Sequence, residues 1–151
     1  MGDVAIRDFE RGDLDEYIKM SESFFSSDAV QHPVPREYVI RTFEECIRKN
    51  PLLRGLMLEI GHVAAGYALL SFTWSNEAGG LCVLLEEAYV VPSHRGRGVG
   101  SALLRFVEGE YGGKASRFRL EVMRSNASAI RLYERMGYER LYYIQMVKDF
   151  P

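Results

Sequence analysis

The sequence predicts one α/β domain spanning residues 1–151. Three observations carry that expectation. Runs of branched and aromatic residues fill the middle of the chain. Helix-spaced apolar residues lie on both sides of them. No repeat, low-complexity stretch or linker interrupts the pattern, and the length suffices for one core.

Val4-Ala5-Ile6-Arg7 predicts a short first strand. Asp13-Leu14-Asp15-Glu16 has the form of a capping box, with an aspartate cap and a glutamate three residues on. In the helix that follows, Leu14, Ile18, Ser21 and Phe25 line one face, widened by Tyr17 and Phe24. His32-Pro33-Val34-Pro35 breaks the pattern and delivers Pro35 to the first turn of a second helix. Its apolar stripe is Val39, Phe43, Cys46 and Ile47, and Asn50-Pro51 stops it.

Leu56 to Ile60 and Val63 to Trp74 predict a hairpin around Gly61-His62. The turn from Ser75 to Gly80 leads into a long strand, Leu81 to Val91. Val99, Ala102, Leu103, Phe106 and Val107 mark a third helix, closed by Gly112-Gly113. A strand follows at Arg117 to Val122. Ala129, Ile130, Tyr133 and Met136 then form a fourth helix that stops at Gly137, and Leu141 to Val147 is a last strand. The expected order is β-α-α-β-β-β-α-β-α-β.

Composition narrows the function classes. Nineteen basic side chains are outweighed by 21 acidic ones, which argues against a general nucleic-acid binder. Asp3, Asp8 and Glu10 interrupt the N-terminus, so no signal peptide is expected, and no apolar run approaches the roughly 20 residues that cross a bilayer. Cys46 and Cys82 predict free thiols and a cytoplasmic location. His32, His62 and His94 show no ligand spacing, so no metal is expected.

The most informative segment is Arg95-Gly96-Arg97-Gly98-Val99-Gly100-Ser101, after a strand and at the start of a helix. Glycines at this spacing let backbone N–H groups turn toward an anion, and the helix adds its positive end. The pattern is that of a pyrophosphate seat. It lacks the Gly-x-Gly-x-x-Gly spacing of a dinucleotide fold and the Gly-Lys-Ser/Thr of a P-loop. An ordinary glycine-rich connection is the remaining alternative.

Two blocks together carry a resemblance. Arg95-x-x-Gly98-x-Gly100 resembles the acetyl-CoA signature of the GNAT superfamily of N-acetyltransferases. The segment from Asn126 to Tyr138 resembles the superfamily's Asn-x-x-Ala-x-x-x-Tyr-x-x-x-Gly-Phe/Tyr block. The resemblance implies a mixed, mostly antiparallel sheet with helices on both faces and a central pair of parallel strands splayed for acetyl-CoA. Main-chain groups of Ala88 and Val90, with Tyr89 between them, would run along the pantetheine. Amides of Arg95, Gly96, Arg97, Gly98, Val99, Gly100 and Ser101 would hold the pyrophosphate. Asn126 would reach the pantetheine or its loop, and Tyr133 would point at the thioester sulfur.

The implied activity is acetyl transfer to a primary amine of a small molecule, peptide or protein, directly and through a tetrahedral intermediate. A non-catalytic CoA-binding module and a transferase using another acyl group or acceptor are the alternatives. Tyr133 is the candidate acid for the leaving thiolate, or else a core aromatic on the stripe of Ile130 and Met136. Leu85-Glu86-Glu87 resembles the Leu-Glu-Asp run of polyamine-type acetyltransferases, which puts the water-relayed base on Glu86. Strand alternation places Glu86 and Glu87 on opposite faces, and Glu87 is expected in an ion pair with a helix arginine.

Phe24, Phe25, Tyr38, Phe72 and Trp74 are candidate pocket aromatics, most of them expected in the core. Glu22 and the Gln31-His32 turn are candidate polar contributors. Relatives with this resemblance often dimerise, and Tyr142-Tyr143-Ile144-Gln145 is the expected seam of a homodimer.

Overall fold

Five strands form one sheet in the order β1-β2-β3-β4-β5. The structure is a computed structural model, and it describes residues 2–27 and 32–151. The strands are β1 (Val4–Asp8), β2 (Leu53–Ile60), β3 (Val63–Ser75), β4 (Gly80–Val90) and β5 (Ala115–Leu120). Neighbours are antiparallel except β4 and β5, which run parallel. The connection between that pair is a helix, as a parallel crossover requires. The helices are α1 (Leu14–Phe25), α2 (Arg36–Ile47), α3 (Val99–Tyr111) and α4 (Ala127–Arg135).

The central strands are apolar on both faces because both faces are covered. Leu56, Leu58, Ala68, Leu70, Val83 and Leu85 pack with Val99, Leu103, Leu104 and Val107 of α3. On the opposite face Met57, Tyr67, Leu69 and Tyr89 pack with Tyr17 and Met20 of α1 and Val39 and Phe43 of α2. That second layer is aromatic at its centre. Tyr17 stands edge-on to Tyr67 at 5.0 Å and lies 5.9 Å from Phe43, contacts worth about 0.5–1.5 kcal/mol each beyond their burial.

Gly61 and His62 both take positive φ, at 57° and 63°, the type I′ geometry that matches strand twist in a two-residue hairpin. Arg54 ties three elements together, donating to Asp8 at 2.7 Å, Glu110 at 2.8 Å and the Tyr111 hydroxyl at 2.9 Å.

Several boundaries differ from those the sequence predicts. Asp13 precedes α1, but its carboxylate turns back to Arg7 at 2.7 Å and to the Glu10 amide at 2.7 Å, so it does not cap the helix. Met20 joins the buried face, while Phe25 is half-buried. Pro35 is the cap position of α2, one residue before its first turn. β5 ends at Leu120, because there it leaves β4. Tyr38 and Trp74 are exposed, not core. Cys46 and Cys82 are free, and burial pushes the Cys46 thiol up to about 12.

The largest correction lies at the C-terminus. Leu141 to Val147 does not form a strand, and the sheet ends at β5 among the described residues. Alternating apolar residues make a strand only when a neighbouring strand accepts their main-chain bonds. This segment stands off from β5, held by the Tyr143 hydroxyl donating to Glu77 Oε2 at 3.1 Å.

Candidate active site

Strands β4 and β5, which lie at one side of the sheet and not at its centre as the resemblance implies, part along their length. Their pairing ends at Leu85 opposite Leu120, yet β4 continues to Val90, still paired with β3 through Val90 opposite Gly66. The side of residues 86–90 that faces β5 is therefore an open edge. A wedge-shaped gap between parallel strands lets an extended ligand bond to main-chain groups as a further strand would.

A bulge sits at the mouth of that wedge. Leu70 pairs with Leu85 and Leu69 with Glu87, so Glu86 is the extra residue. The faces shift accordingly. Leu85 belongs to the α3 side and Tyr89 to the α1–α2 side, although regular alternation would put them together. Both carboxylates consequently stand on the α1–α2 side. Glu86 is exposed and accepts from the Ser71 hydroxyl at 2.8 Å, and Ser71 shares its face with Leu69 and Tyr67. Glu87 accepts from the Tyr67 hydroxyl at 2.7 Å.

This overturns the expectation that Glu86 and Glu87 face opposite ways. Glu87 also makes no ion pair among the described salt bridges; its partner is a phenol. Burial, the largest influence, raises the Glu87 pKa, the Tyr67 bond opposes this, and the charge of Glu86 adds to the rise. Two successive carboxylates inside an apolar strand were the available signal for a bulge, since regular pleating would bury one of them without a cation.

Tyr133 approaches from the other side. It packs on the α3 layer beside Phe118 and Leu120 of β5, 6.0 Å from the Tyr138 ring. Burial raises its pKa, so its hydroxyl keeps the proton at neutral pH. Asn126 caps α4, its side-chain oxygen accepting from the Ala129 amide at 3.3 Å.

The glycine loop connects β4 to α3. Gly96 and Gly98 take φ of 75° and 80°, and a Cβ on either would meet nothing within 4 Å. Two left-handed residues flanking Arg97 make a concave run of amides, and the first-turn amides of α3 have no acceptor within the helix. Gly100 has a different reason: a Cβ there would stand 2.9 Å from Leu132 of α4, so this glycine lets the two helices touch. Arg95 folds back, donating from Nε to the Val90 carbonyl at 2.9 Å with its guanidinium over the Tyr89 ring. Arg97 is exposed. Replacing Gly98 by Ala costs about 1 kcal/mol of stability through strain at that φ, measured as a shift in the urea midpoint. Gly98→Val in addition raises the Kd for acetyl-CoA, measured by calorimetry.

The remaining candidates are dispersed. Phe24 is half-buried, 6.3 Å from the Tyr89 ring, and Phe72 packs on Tyr111 on the opposite face. Glu22 is paired with Arg36 at 2.8 Å. His32 is exposed, and Gln31 lies outside the described residues.

The model of the acetyltransferase (GNAT) family matches residues 15–138. The chain belongs to the GNAT family. It is 30% identical over 151 residues to thialysine N-epsilon-acetyltransferase of Sus scrofa, covering 91% of this chain and 85% of the relative. The Mus musculus protein of that name is 29% identical over 155 residues, covering 93% and 87%. An aminoglycoside N-acetyltransferase solved in complex with CoA shares the fold, with a TM-score of 0.79 at 18% identity over 99% of this chain and 96% of that one.

This GNAT protein transfers an acetyl group from acetyl-CoA to an amine. The open β4 edge and the uncrowded loop at Gly96 and Gly98 fit that cosubstrate. Among the described residues no group of three or more His, Cys, Asp or Glu is arranged to hold a metal ion, and no helix is long and apolar enough to cross a membrane.

Proposed function

We propose that the acceptor is a small molecule bearing a primary ammonium on a flexible chain, of the thialysine type that the mammalian relatives' names describe. The observation that carries this reading is the bulge that turns Glu86 and Glu87 to one face at the mouth of the wedge. Two carboxylates there attract a cation and then accept its proton.

In this reading Glu86, the exposed member, meets the ammonium and takes its proton through water. Glu87 is a positioning residue, held by Tyr67 behind it. The freed amine attacks the thioester carbonyl. A C–N bond forms, and the C–S bond of the tetrahedral intermediate breaks. Tyr133 gives its proton to the departing sulfur, the nitrogen loses its second proton to solvent as the amide forms, and Tyr133 is reprotonated from solvent. Main-chain groups of Ala88 and the Val90 amide, on the open side of β4, align the pantetheine, with Tyr89 between them and the Val90 carbonyl held by Arg95. Amides from Gly96 to Ser101 seat the pyrophosphate, and Arg95 and Arg97 add charge beside it. The side-chain amide of Asn126 keeps its NH₂ for the pantetheine loop while its oxygen caps α4.

The free thiols of Cys46 and Cys82 support a cytoplasmic site of action, and one domain over residues 1–151 is the unit we assign to it. The exposed C-terminal aromatics support a homodimer. The test is thiol release from acetyl-CoA with thialysine, lysine, spermidine and an aminoglycoside, each product weighed by mass spectrometry. Turnover fastest with thialysine, acetylated on its side-chain amine, is the expected result. Preference for the aminoglycoside or for a hydroxyl acceptor would overturn the assignment.

A further inference from the structure

We propose that Ser21 of α1 is a positioning residue of the site, the last member of a hydrogen-bonded chain from Ser21 to Tyr67 to Glu87 that closes when the Glu87 carboxylate carries its charge. The place of Glu87 in the reaction rests on the proposed function; the chain itself stands on how these three side chains meet.

Ser21 sits in the middle of an aromatic contact. Tyr17 and Phe24, one turn before and one turn after it on α1, both meet the Tyr67 ring, at 5.0 and 6.4 Å. Ser21 shares their face and so faces the same residue of β3. Among the described residues it is the one non-aromatic polar side chain fully out of water. Its Oγ is also the one buried side-chain oxygen or nitrogen that makes no hydrogen bond. A hydroxyl left in that state destabilises the fold, and an alanine in its place would not.

The acceptor beside it is the Tyr67 hydroxyl. Tyr67 has committed its proton to Glu87 Oε1, 2.7 Å away, and its oxygen keeps lone pairs that no other donor fills among the described residues. Burial raises the Tyr67 pKa, and the Ser21 hydroxyl acts against that rise. A phenol whose proton is drawn toward a charged carboxylate becomes a better acceptor, because hydrogen bonds in a chain polarise one another. Ionisation of Glu87 therefore draws the Ser21 hydroxyl onto Tyr67. The bond so made strengthens the bond from Tyr67 to the carboxylate. With Glu87 protonated that pull is absent, and the Ser21 hydroxyl stays unpaired.

No ion pair shares this task among the described salt bridges of Glu87. On its own strand, the charge of Glu86 raises its pKa, and the Tyr89 ring lies 6.1 Å from that of Tyr67. Arg95 lies over the Tyr89 ring with its Nε bonded to the Val90 carbonyl. From α1, Tyr17 faces both Glu87 and Tyr67, and burial keeps it protonated. From α2, the Cys46 thiol faces Tyr17 and is pushed up to about 12, so it is neutral as well. The Tyr67 bond is what favours the charged form of Glu87, and Ser21 sets how strong that bond is.

The test follows the Glu87 carboxyl carbon by NMR in the full chain labelled with ¹³C in its glutamate side chains, the signal being assigned by its loss in Glu87→Gln. No turnover is needed, so the result separates from the acetylation reading. In Ser21→Ala the Glu87 titration is expected to move up by about half to one pH unit. With Tyr67→Phe already present, the same substitution is expected to move nothing, because the link is gone. Ser21→Cys, a weaker donor of similar size, is expected to fall between serine and alanine, and it gives the direction if Ser21→Ala fails to fold. An unmoved titration in the folded variants would overturn the proposal, even where the denaturation midpoint changes, since Ser21 would then be a packing residue. An equal shift with Tyr67→Phe present would overturn it too, because Ser21 would then act on Glu87 without the phenol. The pH–rate profile of Ser21→Ala completes the test, its acid limb moving up with the Glu87 titration. A titration that moves while the acid limb stays in place would support the chain and overturn only the place of Glu87 in the reaction.

Discussion

Tyr133→Phe lowers kcat about 10²–10⁴-fold and leaves the Kd for acetyl-CoA nearly unchanged. The substitution removes one oxygen and keeps the ring, so its packing on the α3 layer and beside Tyr138 survives. The lost function is proton delivery. A thiolate departing from the tetrahedral intermediate is stabilised by a donor that still holds its proton at neutral pH. Burial of Tyr133 ensures that it does. Tyr138 is the obvious substitute donor, since burial pushes its hydroxyl up to about 12 and it stands in ring contact with Tyr133. Tyr138→Phe serves as the control and retains the unaltered rate. Single-turnover measurements place the defect in chemistry and not in product release. Unaltered kcat in Tyr133→Phe would make the residue a packing aromatic, and its cost would then appear only in stability.

The parts of the fold that depend on local chemistry are legible in the sequence. Helix stripes such as Val39 and Phe43 report a buried face directly, and Gly61-His62 reports its own hairpin. The glycine loop is legible for the same reason, because left-handed φ at Gly96 and Gly98 is a backbone property of that residue type. What is not legible depends on neighbours far away in sequence. The Glu86 bulge exists only relative to Leu69 and Leu70 of β3. Gly100 is small because Leu132 approaches it from another helix, a contact that spacing around the loop does not disclose. The C-terminal segment has the alternation of a strand but stands where no strand within the chain reaches it. Tyr67 has the pattern of any inward aromatic of β3, and only its approach to Glu87 makes it part of the site.

The aromatic layer under α1 and α2 has a consequence for how the site responds to pH. Tyr17 and Tyr67 of this layer stand beside the half-buried Glu87, whose pKa burial raises. The folded protein therefore holds the Glu87 proton more tightly than the unfolded chain, where a glutamate titrates near about 4.3. Between that value and the raised folded one, the native state binds more protons than the unfolded state. Stability from this group is full below the ordinary carboxylate range and falls as pH rises through the folded pKa. The carboxylate is kept there at a cost, which is expected of a group retained for the reaction.

The same pair gives the second large effect. Glu86→Gln lowers kcat/KM for a cationic amine about 10²–10⁴-fold near neutral pH, and the defect shrinks as pH rises. The shrinkage follows from the substrate: at higher pH more of the amine arrives already deprotonated and needs no base. A residue that only attracts the cation would instead raise KM and leave kcat alone at every pH at which the amine is charged. Glu87→Gln behaves differently, because Glu87 acts through its neighbour. The amide keeps an oxygen to accept from Tyr67 and removes the carboxyl whose titration burial raises. The acid limb of the pH–rate profile then moves to lower pH, while the plateau rate changes far less than in Glu86→Gln. A merely structural Glu87 would shift the denaturation midpoint and leave that limb in place. One pH–rate profile on the unaltered protein and both variants, with a single confirmed amine, separates these outcomes. Unaltered rates in both variants across the whole range would remove the pair from the reaction and leave the amine's proton to solvent.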